Sequence, residues 1–456
     1  MVLPWAGVWA EGLMQAAGAA KFCICRTLGA VAAAVLFGLS ATDGFATDLL
    51  AANAPDLSLV NAPRPEKPSR DYNSMALGPW LFSPSLFVGG IYDSNINQTS
   101  INKISGYGER VVPSFTAFLN NGIHRTNIYG LLDARFYQVS GATDQTQVAA
   151  KTGFNQTYEA QRDLVFTFSG DYTRQQDVFG SWAFAQNTPI AGGPTSVLSA
   201  PTTISPQTSP SFYNQFTGAA SVQKTFMRAF VAAGFSTQYT KFDHNPGTNR
   251  DGTIYTLPVR VGYFVTPQAY LFSDSSVDWR QYADSTQNSN GYRLTGGIGS
   301  NQGLWAAEVY AGYQAEKNDV VGTFGSPILG ARLTYSPTRL WVVRLQVDES
   351  LSSATITGSP GSLVGTANRV TDALLYVTYN GLPLGWTGNA RFGYVRTAAV
   401  DTTRVDNGWL VGLNISYAIW RNLSAMLDYQ FTQLASNVSN QSFNKHVVSV
   451  GMSYKY

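Results

Sequence analysis

Apolar and polar residues alternate with period two along most of this chain, and residues 446–456 show the pattern most clearly. The other positions of this segment are mostly Ser, Gly and Lys, whereas the apolar positions are Val448, Val450, Met452, Tyr454 and Tyr456. Because side chains alternate across a β-strand, the segment predicts a strand with one apolar, aromatic face and one polar face. That arrangement is typical of a membrane β-barrel, in which one face contacts lipid and the other contacts water.

The same alternation recurs between residues 81 and 456, with Trp, Tyr or Phe near the ends of many apolar faces. Representative segments are residues 255–265, 305–314, 341–348, 386–394 and 409–417. Aromatic belts at the two membrane interfaces explain this placement. Charges fall almost wholly on the other face, since a lipid-facing Arg or Lys costs roughly 2–4 kcal/mol at the bilayer centre. The pattern predicts an all-β, transmembrane antiparallel up-and-down barrel of about 18 strands, with roughly 16–18 as the range.

Short and long connections alternate between the predicted strands, which is the asymmetry of tight periplasmic turns and longer outer loops. The short connections are residues 120–122, 159–162, 226–228, 266–268, 301–303, 336–339, 380–383 and 419–422. The longer ones include residues 140–145, 244–252, 282–289, 317–326 and 352–367. A proline-rich stretch between Arg174 and Phe212 is the longest, and it is the third outer loop in this order. It either folds into the barrel and narrows it or remains a surface loop.

Composition agrees with a barrel and excludes other classes of protein. Only 13% of the 456 residues are charged, about half of the roughly 25% found in soluble chains. The chain also carries 43 Gly, 24 Tyr and 25 Phe, which favour sheets and turns over helices. The formal net charge of +2 provides no electrostatic footprint for nucleic acid. Mean hydropathy is −0.07, which suits strands whose every second residue faces water.

The N-terminal segment has the features of a secretory signal. Lys21 and Arg26 precede an apolar run at residues 28–39, and residues 44–46 form a small-x-small cleavage motif. The apolar run is shorter than the ~20 residues that a membrane-spanning helix needs. We therefore expect residues 1–46 to be a signal peptide cleaved after Ala46, with Met14 as an alternative start. Residues 47–80 are expected to be a proline-rich periplasmic lead, either a linker or a partner-binding segment, followed by the barrel at residues 81–456.

Cleavage at that position would remove both cysteines, Cys23 and Cys25, so the mature chain would hold no disulfide. A barrel of this predicted width leaves an aqueous channel. The candidate pore-lining residues are Arg260, Asp278, Arg280, Glu308, Tyr310, Arg332, Arg344, Asp348, Asp372, Tyr376, Arg391 and Asp428. Because both charge signs occur in similar number, this lining suits neutral or amphoteric solutes more than a single class of ion. Alternatively, the inward charges pair across strands and only keep the wall polar.

Candidate catalytic and metal sites are weakly supported. Asp243 and His244 share an outer loop, and with His446 they form the best candidate for a hydrolase site at the outer rim. None of the common nucleophile-elbow, zinc-protease or phosphate-loop motifs occurs in the chain. Asp401 and Asp406 flank another loop, but a calcium site needs more oxygen ligands than two carboxylates supply. We predict a protein that is not an enzyme and that holds no cofactor or metal.

Residues 87–96, Phe-Val-Gly-Gly-Ile-Tyr-Asp-Ser-Asn-Ile, resemble the first strand and loop of the proteobacterial β-barrel porin-2 family. Residues 335–339, Tyr-Ser-Pro-Thr-Arg, are similar to a strand-turn-strand junction of that family, and Ser94 replaces a frequent second Asp. The resemblance spans residues 81–456. It implies a Gram-negative outer-membrane barrel, sometimes associated with exopolysaccharide production, and a terminal aromatic residue, Tyr456, that the barrel-insertion machinery recognises.

Together these observations predict a passive pore for small hydrophilic solutes or for polysaccharide. Two alternatives remain open: a non-conducting barrel that serves adhesion or assists exopolysaccharide export, and the rim hydrolase. Conductance across a planar bilayer separates the pore from the non-conducting barrel. The predicted partners are the lipid bilayer, the insertion machinery and a hydrophilic solute or polysaccharide, without nucleic acid.

Overall fold

The computed structural model describes residues 74–139, 144–176, 212–243, 251–318, 322–338, 340–352, 368–381, 385–400 and 403–456. The predicted signal peptide at residues 1–46 and residues 47–73 of the predicted lead lie outside these ranges. Most of the proline-rich connection, residues 177–211, also lies outside them. Within the described ranges, no helix is both long enough and apolar enough to cross a membrane.

One short strand, β1 (Met75–Leu77), precedes eighteen long antiparallel strands. The long strands are β2 (Trp80–Asp93), β3 (Gly106–Asn120), β4 (His124–Val139), β5 (Gln145–Gln161), β6 (Leu164–Gln176), β7 (Phe212–Thr225), β8 (Ala229–Phe242), β9 (Gly252–Phe264), β10 (Ala269–Tyr282), β11 (Ser289–Asn301), β12 (Trp305–Asn318), β13 (Gly322–Thr338), β14 (Trp341–Ser352), β15 (Asn368–Gly381), β16 (Trp386–Ala399), β17 (Val405–Trp420), β18 (Leu423–Ser436) and β19 (Phe443–Lys455). A single turn of 3-10 helix at Ser285–Gln287 lies between β10 and β11.

The sheet closes on itself, because the last strand pairs with the first long one. β19 lies antiparallel to β2 from Val447 opposite Asp93 to Lys455 opposite Ser85. Every other long strand pairs with its neighbours in the chain, so the order around the barrel is the order in the sequence. Closure removes the exposed sheet edges that an open sheet of this size would present. The predicted up-and-down barrel and its 18 strands are confirmed.

All eight predicted short turns join strands at one end of the barrel, the end that also holds the C-terminus. Two of them share a local geometry in which an Asn carboxamide accepts a hydrogen bond from a glycine two residues later. Asn120 Oδ1 accepts from the Gly122 amide at 3.0 Å, and Asn301 Oδ1 accepts from the Gly303 amide at 3.2 Å. These glycines have φ angles of 91° and 82°, which a side chain would strain. The sequence therefore specifies these turns locally.

The predicted loop at residues 317–326 is wrong in extent. Lys317 pairs with Thr323 and Gln314 pairs with Ser326, so β12 and β13 continue through most of it. The error has a physical reason: strand ends beyond the apolar band are polar, and their composition resembles that of a loop. The sequence marks the height of the apolar band better than it marks the ends of the strands.

The two faces of each strand differ as predicted. On β19, Val450, Met452 and Tyr454 are exposed on the outside, whereas Ser449 and Ser453 are buried on the inside. Exposed Leu, Val, Trp and Tyr cover the outer surface of most other strands. Outward charges such as Lys241, which is exposed, lie towards the outer strand ends. An apolar belt of this extent is stable only against lipid, so the barrel spans a membrane.

Several inward aromatic rings lie flat against the wall because the neighbouring strand has a glycine beneath them. A Cβ added to Gly262 would lie 2.2 Å from the Phe230 ring, and one added to Gly299 would lie 2.2 Å from the Tyr270 ring. These rings cover backbone that would otherwise be bare, and they stay out of the central space. Gly262 faces the lumen, yet a larger residue at this position would displace the Phe230 ring.

The pairing between β13 and β14 is shorter than that of the strands on either side. Among the described residues it runs from Gly330 opposite Asp348 to Tyr335 opposite Val343, with one further pair after a bulge. Continuing this register would place Leu351 opposite Pro327, which has no N–H to donate. The Gln314 carboxamide instead bonds the Leu351 main chain, accepting from its amide at 3.1 Å and donating to its carbonyl at 2.9 Å. A side chain thus replaces the missing strand contact.

We predict that Leu413→Arg impairs barrel insertion, whereas Ser416→Arg has a much smaller effect. Leu413 is exposed to lipid and Ser416 faces inward on the same strand, β17. An outward Arg near the bilayer midplane costs about 2–4 kcal/mol. The fraction of heat-modifiable, folded barrel on cold gels, followed by urea unfolding in micelles, measures the difference. Equal folded fractions for the two variants would contradict the assigned faces.

Candidate functional site

Ion pairs on the inner face of β9–β14 form a connected group, here called the β12 network. Arg260 reaches Glu308 at 2.7 Å and Asp274 at 3.3 Å, and Arg332 lies 3.7 Å from Glu308. Arg293 pairs with Asp348 at 2.8 Å. Two buried tyrosines, Tyr270 and Tyr310, donate their hydroxyl hydrogens to Glu308 at 2.6 Å and to Asp348 at 2.7 Å. Each of these two buried carboxylates therefore has both a cation and a hydroxyl donor, which offsets its desolvation.

Aromatic rings support the guanidinium groups of the β12 network from below. The Arg260 guanidinium carbon lies 4.1 Å from the centroid of the Phe272 ring, and that of Arg332 lies 5.4 Å from the centroid of Tyr310. Planar guanidinium groups stack favourably on such faces. The rings, held flat by the glycines, thus fix the arginines close to the wall.

A second group, here called the β3 network, occupies the opposite wall. The Arg110 guanidinium reaches Asp133 at 3.0 Å and Asp428 at 2.9 Å, and Arg135 pairs with Asp133 at 2.7 Å. These residues lie on β3, β4 and β18, which are close neighbours across the closure between β19 and β2. Since β12 follows β3 by nine strands in a ring of 18, the two networks face each other. Charge is therefore neutralised on each wall separately.

Smaller pairs extend the same chemistry along the barrel. Arg280 on β10 lies 3.0 Å from Asp278 and 2.6 Å from Glu316 on β12. Lys151 and Asp171 are 3.8 Å apart on β5 and β6. Arg125 pairs with Glu159 near the end that carries the short turns. Every pair in this paragraph joins residues on the same or nearby strands, and none spans the central space.

All twelve candidate pore-lining residues lie on the inner face, but at different depths. Arg260, Glu308, Tyr310, Arg332 and Asp348 belong to the β12 network, and Asp428 belongs to the β3 network. Asp278 and Arg280 pair with each other. The remaining four, Arg344, Asp372, Tyr376 and Arg391, lie on β14–β16. Glu308, Asp348 and Asp372 are fully buried in the wall, so the side chains in front of them form the inner surface.

On β14–β16, three of these side chains form a row. Arg344 is opposite Tyr376, and Tyr376 is opposite Arg391. The Arg391 guanidinium donates to the Gln430 carboxamide at 3.2 Å, and its stem crosses Gly412 at the position that a Cβ would fill. Within the described ranges, Arg391 forms no ion pair with a carboxylate. The row therefore contributes guanidinium groups to a stretch of wall between the two networks.

Alternation alone did not find several important members of these networks. Arg110 lies on the strand that contains Pro113, where the sequence pattern is weakest. The alternation of β10 places Tyr270 and Asp274 on the inner face. Nothing in the sequence, however, distinguishes them from inward residues that contact only water. Partners on distant strands, such as Arg110 and Asp428, become neighbours only when the barrel closes.

The Tyr92–Asn95 motif that carries the family resemblance lies at the closure between β2 and β19. We call this contact set the seam clasp, formed by Asp93, Ser94, Asn95, Lys445 and His446. The buried Lys445 ammonium lies 2.7 Å from the fully buried Asp93 carboxylate. Ser94 exchanges two hydrogen bonds with the His446 main chain, at 2.8 and 3.0 Å. Asn95 donates to the Asn444 carbonyl at 3.1 Å.

Apolar packing supports the seam clasp from the adjoining strands. Ile96 is fully buried and packs with Ile91, Tyr137 and Val139. The Asp93 carboxylate also accepts a hydrogen bond from the Asn95 amide at 2.9 Å, which fixes the turn that carries Ile96 inward. The motif thus connects the first long strand of the barrel to the last one.

The structure does not bring the candidate catalytic residues together within the described ranges. Asp243 pairs with Arg174 and accepts from Asn214 at 2.9 Å on the outer rim of β6–β8. His446 lies on β19, faces outward, and is 3.0 Å from the Tyr429 hydroxyl. His244 and Asp401 lie outside the described residues. Asp406 is buried against Arg404 at 2.8 Å, and among described residues no group of three possible metal ligands occurs.

A closed barrel with an apolar exterior and a charged, internally paired interior defines an outer-membrane β-barrel protein. A comparison with protein families matches the family described as Putative beta-barrel porin 2 over residues 71–456. The chain belongs to this family, and its location is the outer membrane. No curated protein matches the chain.

Solved structures resemble the chain only distantly. The OpdK protein of Pseudomonas aeruginosa, solved with vanillate, is 12% identical, with a TM-score of 0.39 over 82% of this chain and 99% of that one. OccK7 (OpdD) of the same organism is 12% identical, with a TM-score of 0.39 over 83% and 98%. The FrpB iron transporter of Neisseria meningitidis is 8% identical, with a TM-score of 0.36 over 83% and 82%. Likeness at this level does not identify a shared function.

We predict that Asp93→Ala destabilises the barrel more than the loss of an exposed ion pair does. The substitution would leave the buried Lys445 ammonium without its carboxylate, which typically costs about 3–5 kcal/mol. Urea unfolding in micelles measures the effect. Asp163→Ala, which removes an exposed partner of Lys224, serves as the control and should leave the unfolding midpoint nearly unchanged. Similar losses in both variants would contradict the role of the seam clasp.

We predict a pH-dependent contribution from Asp243 at the outer rim. The hydrogen bond from Arg174 holds the pKa of the Asp243 carboxyl below its usual range. A carboxyl with a lowered folded-state pKa stabilises the protein above the unfolded pKa of about 3.9, and the gain is lost as the pH falls through the folded value. Because both side chains are partly exposed, the gain is at most about 1 kcal/mol.

The difference in unfolding free energy between the wild type and Asp243→Asn should therefore be constant from neutral pH down to about pH 5 and shrink below about pH 4. Urea unfolding in micelles at a series of pH values measures it. A difference that grows on acidification would contradict the assigned hydrogen bond.

Proposed function

We propose that this protein is a passive, open channel that carries small hydrophilic solutes across the outer membrane. One observation carries the proposal: the inward charges pair along the wall between nearby strands, and no ion pair of the described residues joins the two opposite networks. Because the charges are neutralised within each wall, no filling segment is needed to compensate them. A ring of 18 strands is also too wide for wall side chains to fill.

Transport of this kind needs no chemical step, so we propose a protein without catalytic residues and without a cofactor. The family membership supports this, and the scattered positions of Asp243 and His446 favour it over the rim hydrolase. We also propose that residues 1–46 are a cleaved signal and residues 47–80 a periplasmic lead. We further propose that the insertion machinery recognises the exposed Tyr456. Polysaccharide is a second candidate for the solute that passes through the channel.

Purified barrel reconstituted in planar bilayers should produce stable, stepwise conductance, because water fills the central space. Liposome swelling with a series of sugars and polyethylene glycols of increasing size then gives the width of the path. Exclusion of large oligosaccharides would restrict the channel to small solutes, and their passage would favour polysaccharide. Stable insertion without conductance would contradict the open channel and favour the non-conducting, structural barrel.

A further inference from the structure

In several inward ion pairs the cationic side chain is more exposed to the lumen than its carboxylate partner. The Arg332 side chain is 22% exposed, whereas that of its partner Glu308 is 1% exposed. The Arg135 side chain is 19% exposed, whereas that of its partner Asp133 is 0% exposed. Arg280 has 14% exposed above Glu316 with 0%. In each case the arginine side chain is more exposed to the lumen than the carboxylate with which it pairs.

The same order holds in other pairs on the inner wall. The cation is the more exposed partner in Arg293–Asp348 and Lys151–Asp171. Arg391 is of intermediate exposure, and among the described residues its guanidinium bonds Gln430 and pairs with no carboxylate. The clear reversal is Arg110–Asp428, in which the carboxylate is 25% exposed and the arginine 3%. In most of these pairs the cationic side chain is thus the partner nearer to the water.

The surrounding rings and main chain explain this order. The short carboxylates of Glu308 and Asp348 are fixed at the wall by tyrosine hydroxyls. Long arginine stems can instead lie over apolar surface with their heads in water. In the β12 network, the Tyr310 ring lies beneath Arg332. Carboxylates held at the wall are therefore expected to be less exposed than the longer arginine side chains that pair with them.

Such a layer of oriented pairs produces a field even where its total charge is close to zero. Solutes in the lumen pass nearer to the cations than to the carboxylates, so the positive ends dominate the local potential. The bilayer and the apolar exterior have a low dielectric constant and concentrate the field in the aqueous path. The pairing therefore neutralises the wall without making its inner surface neutral.

We propose that the lumen prefers anionic hydrophilic solutes, with carboxylate or phosphate groups, over cations of similar size. Exposed guanidinium groups supply the donors that such groups bind. This inference rests on the proposed channel function and adds a class of solute to it. It also places the preference in named residues, Arg135 and Arg332, on opposite walls.

The reversal potential of the reconstituted wild-type protein in a KCl gradient tests the proposal directly, with chloride and potassium as the probes. We expect a reversal potential of the sign for chloride preference, with a permeability ratio of about 3 or more, since a local potential of about half a kT per unit charge already changes the ratio of anion to cation roughly threefold. The ratio should fall toward unity at high salt because the field is screened.

Two double variants identify the source of the preference. Arg135→Gln with Arg332→Gln exposes Asp133 and Glu308, so the preference should disappear or change to potassium. Arg135→Lys with Arg332→Lys keeps the charges at the surface and should keep the chloride preference. Heat-modifiable migration on cold gels confirms that each variant is folded before it is measured.

The outcomes separate this inference from the proposed function. Stable conductance with a wild-type reversal potential at zero, or on the potassium side, would overturn the anion preference and leave the channel intact. Chloride preference that persists in the glutamine variant would overturn the role of these two arginines. Folded protein that inserts without any conductance would overturn the channel and the inference together.

Discussion

The hydrocarbon core of a bilayer offers no hydrogen-bond partners, and this constraint determines the architecture. Every main-chain N–H and C=O at that depth must pair within the protein, which for strands requires a closed ring. The pairing of β19 with β2 provides the closure. The seam clasp reinforces it with a buried Lys445–Asp93 pair and with main-chain bonds between Ser94 and His446. Even the short pairing between β13 and β14 is supplemented, because Gln314 bonds the Leu351 main chain.

The inner surface follows from the same closure. A wide ring cannot be filled by its own side chains, so it must be stable next to water while its wall remains packed. Glycines allow Phe230 and Tyr270 to lie flat, and the rings in turn support guanidinium groups. Among the described residues, ion pairs between nearby strands then neutralise each wall, and none crosses the lumen. Packing, charge pairing and an open centre are therefore compatible in one layer of side chains.

The depth of each charge within that layer determines what a solute in the proposed channel would meet. Equal numbers of positive and negative side chains would make the inner surface neutral if both reached the water equally. The Arg332 side chain is more exposed than Glu308, and the Arg135 side chain is more exposed than Asp133, so in the proposed channel a solute would pass nearer to the cations. A channel can thus be balanced in formal charge and still present a positive surface.

The sequence by itself determined the elements that depend on local chemistry. Period-two alternation identified the faces, and Asn-Gly turns such as Asn120 to Gly122 identified the short connections, because both signals act within a few residues. The boundary at Lys317 was less well determined, since polar strand ends resemble loops. Only the tertiary structure decided which charges meet. Arg110 finds Asp428 across the closure of the ring, and the depth of each charge depends on rings and glycines of neighbouring strands, which no single segment encodes.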